Sequence, residues 1–121
     1  MADKATGTVA VVDDDPAVLD SLKFLLEVMG CTVATFTSAR EYLADGEVRP
    51  ACMILDQHMP QMTGLELAQK LRANGVSIPV LLITGSPSPA IVARANELGI
   101  EGVLEKPPDE DDLLNFVKAH A

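Results

Sequence analysis

The sequence predicts an α/β fold, a parallel sheet with helices on both faces, and three observations carry that expectation. Short apolar runs alternate with helical patterns five times along the chain. The runs Val9 to Val12, Cys52 to Leu55 and Val80 to Ile83 are apolar at consecutive positions, as in strands buried on both faces. No linker, repeat or low-complexity segment interrupts the 121 residues, a length that suits one domain over 1–121.

Taken in order, Thr8 to Val12 is the first strand, ending in Asp13-Asp14-Asp15-Pro16. Asp15 can cap a helix and Pro16 suits its first turn. Val18, Leu22, Leu25, Leu26 and Met29 then recur at helical spacing until Gly30. Thr32 to Phe36 is the second strand, and Ser38-Ala39-Arg40-Glu41 has the form of a capping box opening a short helix up to Gly46. The third strand, Cys52 to Leu55, stops at Asp56, and Pro60 prevents its continuation. Thr63-Gly64-Leu65-Glu66 repeats the capping-box pattern before a helix ending near Gly75. Pro79 to Thr84 is the fourth strand, and Ser88 and Pro89 open a helix that runs to Leu98. Gly102 to Glu105 is the last strand, and acids from Asp109 onward start a final helix with Lys118 near its end.

Composition narrows the function classes. With 18 acids against 9 Lys and Arg, the net charge of -9 argues against nucleic acid as a direct partner and suits a cation or a basic protein surface. No apolar stretch approaches the roughly 20 residues that span a bilayer, and the N-terminal MADKATG has no secretory core, so a cytoplasmic protein with no membrane partner is expected. Cys31 and Cys52 read as reduced core residues, His120 as a terminal charge, and Met59 and Met62 as packing under a loop.

Right-handed crossovers place the carboxyl ends of all strands at one edge, where open α/β sheets bind their ligands. That edge receives Asp13, Asp14, Asp56, Thr84 and Lys106. Close carboxylates repel one another and raise each other's pKa unless a cation joins them, and oxygen-only ligands fit Mg²⁺. A lysine and a hydroxyl beside the metal would hold the oxygens of a phosphoryl group, and a carboxylate can be the nucleophile. The residues therefore point to Mg²⁺-dependent phosphorylation of an aspartate.

At the motifs Val-Val-Asp13-Asp14-Asp15-Pro, Leu-Asp56-Gln-His-Met-Pro60, Ile-Thr84-Gly and Glu-Lys106-Pro107, the chain resembles the receiver domain of bacterial two-component response regulators. The resemblance covers essentially the whole chain. It implies a flavodoxin-like (βα)5 sandwich of strand order 2-1-3-4-5, with Asp56 accepting phosphate from a sensor histidine kinase or histidine phosphotransfer protein. It implies Mg²⁺ on Asp14, Asp56 and the His58 backbone carbonyl, Asp13 acting through water, Thr84 and Lys106 on the phosphoryl group, and a cis bond before Pro107. It also puts His58 and Ser86 beside the path of the hydrolytic water, where they would tune the lifetime of the phosphate. A downstream protein would dock on the fourth helix, fifth strand and fifth helix, a homodimer being a further option.

Two positions depart from the family pattern: Val103 stands where a Tyr or Phe usually reports phosphorylation, and Pro108 where Phe is common. With nothing after the last helix, output is expected through another protein, without a DNA-binding or catalytic domain. Two alternatives remain beside this reading. One is a haloacid-dehalogenase-like phosphatase with Asp13 as nucleophile, which leaves Asp56 without a role. The other is a phosphate sink or docking receiver that has lost its switch.

Overall fold

The computed structural model describes residues 7–121. The expectation drawn from the first residues of the chain concerns 1–6 and lies outside that range.

The elements alternate strictly: β1 (Thr8–Val12), α1 (Pro16–Val28), β2 (Thr32–Phe36), α2 (Ala39–Asp45), β3 (Cys52–Asp56), α3 (Gly64–Ala73), β4 (Val80–Thr84), α4 (Pro89–Glu97), β5 (Gly102–Glu105) and α5 (Glu110–His120). All neighbouring strands pair in parallel, in the order β2-β1-β3-β4-β5. Strand side chains alternate between faces, which divides the core in two. Val9, Val11, Ile54, Leu81 and Ile83 meet Leu19, Leu22 and Leu26 of α1 and Leu113, Phe116 and Val117 of α5. Ala10, Val12, Met53, Leu55 and Leu82 meet Leu67 and Leu71 of α3, Ala95 of α4 and Phe36.

The helix starts follow their capping chemistry. Asp15 Oδ1 accepts the Ala17 N–H at 2.9 Å, and Thr63 and Glu66 close a reciprocal capping box at α3. Ser38 and Asp109 cap α2 and α5, and Ser88 caps α4 ahead of Pro89. The expected box at α2 is only half formed. Ser38 Oγ accepts the Glu41 N–H at 3.0 Å, but Glu41 reaches one residue further back and takes the Thr37 N–H and hydroxyl. Thr37 offers two donors where the Ser38 backbone offers one, so the carboxylate settles there.

Other expectations shift at element edges. Met29 is the C-cap of α1 and 43 % exposed, so it lies off the apolar face on which its spacing put it. Pro79 precedes β4, since it has no N–H for the ladder, but its carbonyl accepts the Met53 N–H at 2.9 Å. Cys52 is buried, with its thiol pushed up to about 12 by burial, whereas Cys31 is half-buried. Met59 is buried, and half-buried Met62 packs against the same core. His120 Nε2 lies 3.5 Å from Glu101 Oε1, and its ring tilts against Phe116.

One side chain ties two helices together. The Arg72 guanidinium, near the end of α3, donates from Nε to the Leu98 carbonyl at 2.9 Å and from Nη1 to the Val76 carbonyl at 3.0 Å. Leu98 is the C-cap of α4, so this arginine satisfies a carbonyl that the helix itself leaves open.

Candidate functional site at the carboxyl edge of the sheet

The parallel register brings the strand ends to one edge. Val12 pairs with Leu55, Asp56 with Ile83 and Thr84 with Glu105. Backbone bonds continue one residue past the strands: Asp13 N–H to the Phe36 carbonyl (3.1 Å), Gln57 N–H to Ile83 (2.8 Å) and Lys106 N–H to Thr84 (2.9 Å). Asp13, Asp56, Thr84 and Lys106 are therefore held by the sheet ladder itself.

Asp13 and Asp56 are each 2 % exposed, and Asp14 is exposed. One oxygen from each of Asp13, Asp14 and Asp56 lies within 4.8 Å of the others. The Lys106 ammonium sits between the two buried acids, 2.9 Å from Asp56 Oδ1 and 3.4 Å from Asp13 Oδ2. Asp13 Oδ1 also accepts the Asp15 N–H at 2.9 Å. Among the described residues, no donor other than the Lys106 ammonium reaches either Asp56 oxygen.

Burial raises the pKa of Asp13 above the ordinary carboxylate value. The Asp15 N–H opposes that rise, the neighbouring Asp56 charge adds to it, and Lys106 opposes it. For Lys106, burial pulls the pKa down, but the hydrogen bond to Asp56 and the charges of Asp13 and Asp56 outweigh it, and the net shift is upward.

Thr84 is wholly buried. Its Oγ1 accepts the Ser86 N–H at 3.1 Å and lies 2.8 Å from His58 Nε2. The sequence reading gave His58 a role through its backbone carbonyl and a place beside the path of the hydrolytic water; the structure adds the contact of its ring with Thr84. The Lys106-Pro107 bond is cis, as expected.

Two residues at this edge escaped the sequence reading. Gly64, the first residue of α3, has no room for a side chain: a Cβ there would stand 2.6 Å from the Asp56 carbonyl oxygen and 2.8 Å from Leu82 Cδ1. Gln57 caps the same helix from the strand side, its Oε1 accepting the Leu65 N–H at 2.9 Å. Both fix the loop that carries Asp56. The Thr63-Gly64-Leu65-Glu66 pattern signals the helix start but not the close approach. Beside the site, an apolar groove of about 700 Å³ runs between α1 and the loop into α5, lined by Val18, Phe24, Leu25, Lys106, Pro108 and Leu113 among others. Phe24 on its rim is 72 % exposed.

A five-stranded parallel sheet of order 2-1-3-4-5 with helices on both faces defines a flavodoxin-like α/β protein, here with an acidic cluster at the edge where such folds take ligands. The chain belongs to the response regulator receiver domain family, whose model matches residues 9–118. It is 39% identical over 112 residues to the transcriptional regulatory protein FixJ of Azorhizobium caulinodans, covering 92% of this chain and 53% of that protein. It is 38% identical over 109 residues to the response regulator protein TmoT of Ectopseudomonas mendocina, covering 89% of this chain and 50% of that one. The chain thus spans about half the length of these curated relatives. Among solved structures, the chemotaxis protein CheY4 of Vibrio cholerae superposes with a TM-score of 0.87 at 29% identity, over 97% of this chain and 100% of that one. Family membership sets aside the phosphatase alternative. Receiver domains are signalling domains of two-component systems, which interact with histidine kinases and downstream proteins and bind Mg²⁺ at an acidic pocket.

Proposed function

We propose that Asp56 accepts a phosphoryl group from a histidine kinase or histidine phosphotransfer protein in a Mg²⁺-dependent reaction, and that the phosphorylated chain signals by protein–protein contact. One observation carries the reading: the buried Asp56 carboxylate faces two other carboxylates, and the Lys106 ammonium is the single donor beside it among the described residues. A buried carboxylate beside two others and compensated by one ammonium alone is costly, so this arrangement suits a group that gains further partners on reaction.

Asp13, Asp14, Asp56 and the His58 carbonyl are the oxygens that would hold Mg²⁺. The ion would supply positive charge for the phosphoryl oxygens and offset repulsion among the acids. An Asp56 oxygen attacks phosphorus in line, the P–N bond of the donor phosphohistidine breaks, and the leaving imidazole nitrogen takes a proton. Lys106 pairs with the phosphoryl group, and the Thr84 hydroxyl donates to one of its oxygens. His58 and Ser86 flank the approach of water and tune how long the phosphate lasts.

The donor has to bring a phosphohistidine to Asp56, so its docking surface must adjoin the active edge. The groove between α1 and α5 does so, since Lys106 lines it and Phe24 stands exposed on its rim. The downstream partner, or a second copy, is assigned to the face of α4, β5 and α5, and the site of action is the cytoplasm.

Incubation with a small phosphodonor and Mg²⁺, followed by borohydride trapping and mass spectrometry, should label Asp56 alone. Label that persists in Asp56→Asn would overturn the assignment.

A further inference from the structure

The geometry points to His58 as a positioning residue: its imidazole holds the Thr84 hydroxyl in the orientation that donates to a phosphoryl oxygen. This rests on the reading of Asp56 as the phosphoryl acceptor and adds a side chain to it.

The argument is a count of hydrogen-bonding capacity. A threonine hydroxyl has one proton and two lone pairs. The Ser86 N–H, at 3.1 Å, takes one lone pair of Thr84 Oγ1. His58 Nε2 lies 2.8 Å from the same oxygen, and with its proton on Nε2 it fills the other. Both acceptor positions are then occupied by donors, and the single proton is left for a third partner. A phosphoryl group has only acceptor oxygens, so that proton is what it requires.

The surroundings leave the hydroxyl few other choices. Thr84 is wholly buried, and its carbonyl is bonded to the Lys106 N–H at 2.9 Å, so its backbone is fixed from the β5 side. His58 is exposed on the loop after β3, where it meets water and a diffusing phosphodonor, while its ring nitrogen reaches inward to a buried oxygen. Removing the imidazole frees one lone pair of the hydroxyl, and the proton loses its fixed direction. Donors held ready for the charge that develops are worth more than donors that must reorganise.

The test is a titration with beryllofluoride, a phosphoryl mimic, at saturating Mg²⁺, followed by the backbone amide signals of Thr84 and Gly85. His58→Ala should weaken beryllofluoride binding about fivefold to tenfold, the loss of one buried hydrogen bond. His58→Gln, whose side-chain amide can donate at similar reach, should return to within about twofold of the wild type. Mg²⁺ affinity should hold in both, because the ligand expected at this position is the backbone carbonyl. Thr84→Val keeps the shape and removes the hydroxyl, with Thr84→Ala as the substitute if that variant does not fold. In that background His58→Ala should cost nothing further, which separates positioning of Thr84 from a general effect on the loop.

Three results overturn the inference. They are undiminished or tighter binding by His58→Ala, which would mean the hydroxyl donates to the ring and competes with the phosphoryl group; no rescue by Gln; or an undiminished loss in the Thr84→Val background. A wild-type chain that binds no beryllofluoride fails differently, since it removes the Asp56 reading and this inference together.

Discussion

Every residue of β3 and β4 is buried, whereas β5 has three half-buried residues and ends on the exposed Glu105. Asp56 and Thr84 are the last residues of the two sealed strands, and Lys106 follows the looser one. Groups that must keep a fixed position thus stand where apolar packing on both faces resists movement. The Lys106 ammonium instead follows an edge strand none of whose residues is fully buried. The difference between inner and outer strand is a division between holding and responding.

The largest expected effect tests the packing half of that division. Leu82→Ala, in the middle of β4, should cost about 2–5 kcal/mol in urea unfolding, against about 1 kcal/mol for Val103→Ala on β5. Similar losses at the two sites would erase the contrast. The next effect is metal-linked: at a hundredfold excess over its dissociation constant, Mg²⁺ should add about 2.7 kcal/mol, and Asp14→Ala should remove most of the accompanying rise in melting temperature. An unchanged rise in that variant would put the ion elsewhere.

A smaller effect lies in pH dependence without Mg²⁺. Lys106 titrates above its ordinary 10.5 in the fold, so its stabilisation is full below that value and is lost as pH rises through the higher folded pKa. Lys106→Met should lose this alkaline limb. The raised pKa of Asp13 has the same sign at the other end of the scale. Its relative contribution is present below about 3.8 and falls as pH rises through its folded value, so Asp13→Asn should flatten the acid limb.

The smallest effect concerns the outer strand. With beryllofluoride and Mg²⁺ bound, hydrogen exchange should change most from Thr84 to Ala93. Val103→Tyr should then shift partner affinity a few-fold, roughly 1 kcal/mol, with less effect on the rate of phosphorylation. Change confined to Asp13–Asp15 would place the output on the opposite side of the active edge.

Much of this fold is legible in the sequence because its signals are local. Consecutive apolar residues mark β3 and β4, and Asp15-Pro16 and Ser88-Pro89 mark helix starts through their own backbone chemistry. The acids of the site are legible because Asp13 directly follows one apolar run, with Asp14 next to it, and Asp56 ends another. What escaped depends on approach between distant segments. The missing Cβ of Gly64 matters only because the Asp56 carbonyl lies 2.6 Å from where it would stand. The His58 ring matters only because Thr84, 26 residues later, ends the adjacent strand. Glu41 choosing Thr37 over Ser38 is a competition between two neighbouring donors that a four-residue pattern cannot decide.

The bond from Arg72 to the end of α4 has a mechanical consequence. At its far end that helix is clamped: the Leu98 carbonyl is held by the guanidinium, and Ala95 and Ile100 are buried in the core. At its near end it follows Gly85, Ser86 and Pro87, all exposed, and Pro89 offers no N–H to anchor it. A rod clamped at one end and held more loosely at the other swings; it does not slide. A displacement of the exposed loop 85–87 would therefore reach the surface as a tilt of α4 about Leu98, widest beside the carboxyl edge of the sheet and vanishing at the arginine.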